Sequence, residues 1–88
     1  MKTKQMVVET KHGLHLRMAG EIAKLAGTHD CRVRVSCDGC RHADGCSIMQ
    51  LLTLGATHGT QLEVQADGPD EDLVLNGLSD IFHDGAGI

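Results

Sequence analysis

This 88-residue chain predicts an α+β fold of order βαββαβα, with three helices layered on one face of a four-stranded, largely antiparallel sheet. Two apolar rhythms carry the prediction. Cys31, Val33, Val35 and Cys37 alternate with Arg32, Arg34 and Ser36, and Leu62, Val64 and Ala66 alternate with Glu63 and Gln65, which is the period of half-buried strands. Ala19, Ile22, Ala23 and Ala26, and later Val74, Leu78, Ile81 and Phe82, recur at helical spacing.

The first strand spans Lys2 to Thr10, where Met6 and Val8 alternate with polar neighbours, and Lys11-His12-Gly13 is a turn. A helix follows from Leu16 to about Ala26, with Gly27 as its stop. After the Cys31–Cys37 strand, Asp38-Gly39 supplies a two-residue hairpin turn of the type that needs positive φ, and a short strand returns over Cys40 to Ala43. Ser47 caps a short helix, Ile48 to Leu54, closed by Gly55. The last strand centres on Val64. Pro69 lies near the first turn of the final helix, where its missing N–H costs nothing, and Asp70-Glu71-Asp72 makes that turn acidic, as the helix dipole favours. Asp84-Gly85 ends the helix.

A chain of this length predicts a single domain of modest stability. Phe82 is the only ring besides the histidines, so Val, Leu, Ile, Met and Ala must build the core. A formal charge of −4 with eight basic residues argues against a nucleic-acid partner, which calls for a basic face and stacking aromatics. No apolar run approaches membrane-spanning length, and the opening residues lead into no signal-peptide core, so a cytoplasmic protein is expected.

The chemistry concentrates in Gly13-Leu14-His15-Leu16-Arg17. An imidazole at a helix start lies beside unpaired backbone N–H groups, which suit a phosphate dianion. Those of Leu16, Arg17 and Met18 are the expected donors, and Arg17 adds a forked, permanently charged group. Histidine titrates near neutrality and offers a ring lone pair to an activated phosphorus. The pentapeptide therefore describes an anion-receptive, nucleophilic histidine, while a solvated histidine near a helix cap would look the same.

The order of elements, the spacing from His15 and the segment from Cys46 through Ser47 to Gly55 resemble the HPr family of histidine phosphocarriers over nearly the whole chain. His15, Arg17 and Ala19 match the family's active-site pattern, whereas Met18 stands where proline is usual. The resemblance implies an open-faced two-layer sandwich and a phosphoryl group carried on Nδ1 of His15. It implies a phosphorylated Enzyme I-type donor and an enzyme IIA-type acceptor, through a sugar-system, nitrogen-system or other relay. It also implies that the apolar patch of Ile48, Met49 and Leu52 docks partners, with Leu51 and Leu54 as core. Ser47 aligns with the serine that a dedicated HPr kinase phosphorylates, although an N-cap role accounts for it equally, and Cys46 replaces the usual lysine before it. A monomer without cofactor is expected.

Two rival readings keep less of this. An HPr-like regulatory domain would bind partners without carrying a phosphoryl group. A metal-binding or redox module would use Cys37, Cys40, His42 and Cys46, since Cys37-Asp38-Gly39-Cys40 is a C-x-x-C on a tight hairpin. Against the latter, Cys31 and Cys37 share the face of Val33 and Val35 and read as small buried apolar residues. The other histidines, His12, His29, His58 and His83, fall at turns or element ends. With no Ser-His-Asp, paired-carboxylate or Walker pattern, a carrier is expected rather than a stand-alone enzyme.

Overall fold

Strand alternation builds the sheet. β1 (Lys2–Val7), β2 (Arg32–Cys37), β3 (Arg41–Asp44) and β4 (Gln61–Asp67) pair antiparallel in the order β1-β4-β2-β3. The structure, a computed structural model, describes residues 1–37 and 41–84. β4 is bonded on both sides, with Val64 opposite Lys4 of β1 and Val35 of β2. Leu62, Val64 and Ala66 share a buried face with Val33, Val35 and Cys37, while Arg32, Arg34 and Gln61 are exposed on the other.

Three helices, α1 (Leu16–Gly27), α2 (Ile48–Thr53) and α3 (Glu71–Asp84), cover the apolar face and leave the other open. This is the α+β open-faced sandwich that the order of elements predicts. Met18, Ile22, Leu51, Leu54, Leu78 and Phe82 fill the space beneath them. On the open face the Ser36 hydroxyl and His42 Nδ1 lie 2.8 Å apart, which leaves Ser36 buried although it faces outward.

Several boundaries differ from the sequence reading. β1 ends at Val7 rather than Thr10, because Val8 leaves the ladder to pair with the loop before β4, its N–H donating to Thr60 O at 3.0 Å. α1 includes Gly27, and the stop is Thr28 in right-handed conformation. Its N–H and hydroxyl both donate to Lys24 O, at 3.0 and 2.8 Å, so no left-handed glycine is required. Met18 takes the buried place in the stripe, and Ala23 lies at its half-exposed edge. α2 stops at Thr53 with Leu54 as cap, and Gly55 follows in left-handed conformation.

α3 buries Leu75 with Val74, Leu78 and Phe82, while Ile81 is only partly covered. Pro69 stands outside that helix, since the first helical bond runs from Val74 N–H to Asp70 O at 2.9 Å. β3, Arg41–Asp44, runs one residue past the expected end at Ala43; Asp38, Gly39, Cys40 and Gly85, on which the expected hairpin turn, strand start and helix end fall, lie outside the described residues.

One close approach locks the loop before α1 to the turn after α2. Gly13 adopts φ +69°, and the next N–H, that of Leu14, donates to Ala56 O at 2.9 Å. A Cβ on Gly13 would lie 2.5 Å from Ala56 O and 2.9 Å from Thr57 Cα, both backbone atoms with no freedom to swing aside. Left-handed conformation costs an L-residue about 1–2 kcal/mol, and overpacking adds roughly 1–3. Gly13→Ala is therefore expected to lower Tm by about 10 °C or more, measured by circular dichroism; an unchanged Tm would contradict this account of the loop.

Candidate functional site

The loop locked by Gly13 delivers His15 to the N-terminus of α1. His15 has extended backbone, φ −105° and ψ 175°, and is the N-cap. Its carbonyl accepts the first helical bond from Ala19 N–H at 2.9 Å. Its ring takes the part usually played by serine or aspartate, Nδ1 accepting from Met18 N–H at 3.4 Å. Nε2 is enclosed and has no hydrogen-bond partner among the described residues. The His12 ring stands edge-to-face with that of His15, centroids 6.4 Å apart.

The three expected backbone donors are thus not equivalent. The first-turn N–H groups of Leu16 and Arg17 have no acceptor within the helix. The Met18 N–H is turned onto the ring. The Arg17 side chain is exposed at the same helix end and forms no ion pair among the described residues. An exposed guanidinium, two N–H groups without a helical acceptor and the positive end of α1 thus lie at the same helix terminus as one imidazole, chemistry that suits a phosphoryl-sized dianion.

α2 supplies the second surface. Leu51 and Leu54 are buried, Met49 is 73% exposed, Ile48 is exposed to a lesser degree, and Leu52 packs partly against the core. Ser47 caps this helix, its Oγ accepting from Gln50 N–H at 3.2 Å. Leu16, which the sequence reading valued only for its backbone, presents its side chain at 66% exposure. Its position two residues before Met18, off the stripe of Met18, Ala19, Ile22 and Ala26, is the signal that could have found it.

Among the described residues the sulfur-and-histidine set does not assemble. Cys37 is buried in the core, with the Arg41 guanidinium donating to its Sγ at 3.7 Å. His42 faces the open side of the sheet, against Ser36. Neighbouring strand positions of opposite direction cannot share one ion. Desolvation, then the charge of Asp44, pushes the Cys46 thiol above its usual range. Cys40 lies outside the described residues, and among those described no group of three or more His, Cys, Asp or Glu is placed to hold a metal. Nor is any described helix long and apolar enough to cross a membrane.

Comparison with known proteins points the same way as this geometry. The family model described as "PTS HPr component phosphorylation site" matches residues 2–84. The phosphocarrier protein HPr of Pseudomonas aeruginosa is 35% identical over 83 residues, covering 94% of this chain and 92% of that protein. The phosphocarrier protein NPr of Escherichia coli K12 is 34% identical over 86 residues, 97% of this chain and 96% of that protein. Among solved structures, HPr-C-His from Thermoanaerobacter tengcongensis superposes with a TM-score of 0.91 at 27% identity, covering 100% of this chain and 98% of the other. A mycoplasma histidine-containing phosphocarrier protein gives 0.87 at 26% identity, over 97% of this chain and 96% of the other. A histidine capping its own helix, in this fold and with these relatives, places the chain in the HPr phosphocarrier family.

Proposed function

We propose that this chain accepts a phosphoryl group on His15 from a phosphorylated Enzyme I-type donor and passes it to an enzyme IIA-type acceptor. The observation that carries the reading is the imidazole at the N-cap of α1, with Arg17 and two unbonded N–H groups around it. Phosphoryl transfer asks a protein mainly for positioning and charge stabilisation. Here the helix dipole contributes roughly 0.3–1 kcal/mol at an exposed terminus, and Arg17 follows the anion as charge develops. The P–N bond of phosphohistidine is labile, which suits a carrier that must give the group away.

Ile48, Met49 and Leu52 form the docking patch in this reading, extended by Leu16. Met49 and Leu16 are large exposed apolar side chains flanking the histidine's helix end and α2, and a flexible methionine adapts to more than one partner surface. Ser47 is the proposed phosphosite of an HPr-type serine kinase. A dianion there would occupy the cap of α2 and add charge beside the patch. The protein works as a cytoplasmic monomeric domain, without cofactor, nucleic acid or membrane, as a carrier rather than a stand-alone enzyme.

Intact mass in neutral, non-acid solvent after incubation with Enzyme I and phosphoenolpyruvate tests the assignment. The expected result is one added phosphoryl group, lost in acid and absent from His15→Ala. Relatives named HPr and NPr match to similar extents, so the assay is run with both sugar-system and nitrogen-system donors. Failure with both overturns the carrier reading for these donors and favours a regulatory binding domain. Met49→Asp is expected to raise the KM for the partner protein by about tenfold, the effect of losing roughly 1.4 kcal/mol at an interface, without changing Tm. A KM unmoved by this charge would remove Met49 from the docking surface.

A further inference from the structure

Met18 brings to the site a group that proline lacks, a backbone N–H, and the structure gives that N–H a specific partner. It donates to His15 Nδ1 at 3.4 Å. A ring nitrogen that accepts a hydrogen bond must present its lone pair, so the contact selects the neutral ring with its proton on Nε2. The opposite tautomer would set two N–H groups head-on. Nε2 bonds to nothing among the described residues, so no competing contact on that side chooses between the two forms.

We propose that the Met18 N–H is a positioning donor in two successive states of the carrier. In the free protein it holds Nδ1 as the lone-pair nitrogen at the mouth of α1. During transfer the Nδ1 lone pair forms the N–P bond, while the bond from phosphorus to the donor's leaving atom breaks with its electron pair remaining on the donor. The proton stays on Nε2, leaving one positive charge on the ring against the two negative charges of the phosphoryl group. The Met18 N–H, now without its nitrogen acceptor, donates to a phosphoryl oxygen and joins the N–H groups of Leu16 and Arg17. The chemistry rests on the phosphocarrier reading, whereas the tautomer is a property of the free protein.

A matched pair of variants separates backbone from side chain. Met18 is fully buried, so Met18→Ala and Met18→Pro both vacate its core volume, but only proline removes the N–H. Proline is tolerated in the first helical turn, where no intrahelical bond is lost. The first readout is the ring 15N spectrum of His15 in unphosphorylated protein, at a pH where the ring is neutral. The wild type and Met18→Ala should give Nδ1 near the downfield position of an unprotonated ring nitrogen and Nε2 in the upfield, protonated range; Met18→Pro should raise the Nδ1–H fraction, moving the averaged Nδ1 resonance upfield and Nε2 downfield, toward each other. Identical spectra for the alanine and proline variants overturn the proposal.

The second readout uses protein phosphorylated chemically with phosphoramidate, which needs no protein donor. The Met18 amide proton should move downfield on phosphorylation in the wild type, and the phosphohistidine of Met18→Pro should decay roughly fivefold faster than that of Met18→Ala, the effect of one ordinary hydrogen bond. Equal lifetimes overturn the second role. Failure of Enzyme I-type donors in the mass assay would count against the carrier reading and leave both of these readouts decisive for Met18.

Discussion

The structure depends on keeping one face of β4 dry. Leu62, Val64 and Ala66 are fully buried at the seam where β1 and β2 meet that strand, and a register slip of one residue would turn Glu63 and Gln65 inward. Covering this face requires helices whose apolar stripes lie against it, and α1 and α3 supply Ile22, Val74, Leu78 and Phe82. With Phe82 the only large aromatic, the core is filled by branched aliphatic side chains and by Met18, whose flexible thioether suits an irregular gap. Burial thus sets the rotation of α1 about its axis, and that rotation determines where its first turn points.

The histidine inherits its setting from this packing. Met18 is anchored in the core by its side chain while its N–H reaches the His15 ring, so one residue ties the apolar interior to the imidazole. The loop on the other side is fixed by the Leu14–Ala56 hydrogen bond, which links the approach to α1 with the end of α2. The imidazole and the apolar surface of α2 are therefore held by one framework, which in the proposed carrier would present the phosphoryl acceptor and the docking patch to a partner together.

Much of this was legible in the sequence because strand and helix periods are clean here. Val33 and Val35 alternate with arginines, and Leu62, Val64 and Ala66 with acid and amide, so both interior strands were unambiguous. Boundaries were read less well where a local hydrogen bond replaced the expected signal. Gly27 looks like a helix stop, yet the Thr28 hydroxyl satisfies Lys24 O, and the glycine remains helical. At the site, the residues His15 and Arg17 were readable from their pattern. The Met18 N–H was readable as a donor at the helix mouth, but its contact with the His15 ring was not, because the pattern does not specify which way the imidazole turns. Cys37 and His42 were close in sequence, but the parity of two strands sent them to opposite sides of the sheet.

The open face of the sheet has a practical consequence. Thr3, Gln5, Gln65 and Arg34 stand on a surface that no helix covers, on the far side of the core from the helices. Side chains there are bounded by solvent and by one another, as in the Gln5–Glu63–Gln65 amide and carboxylate contacts. A fluorophore or spin label attached at such a position would ride on the rigid sheet while leaving the histidine and α2 unobstructed. The exposed side of this sandwich is thus a natural handle from which each encounter on the opposite layer can be watched.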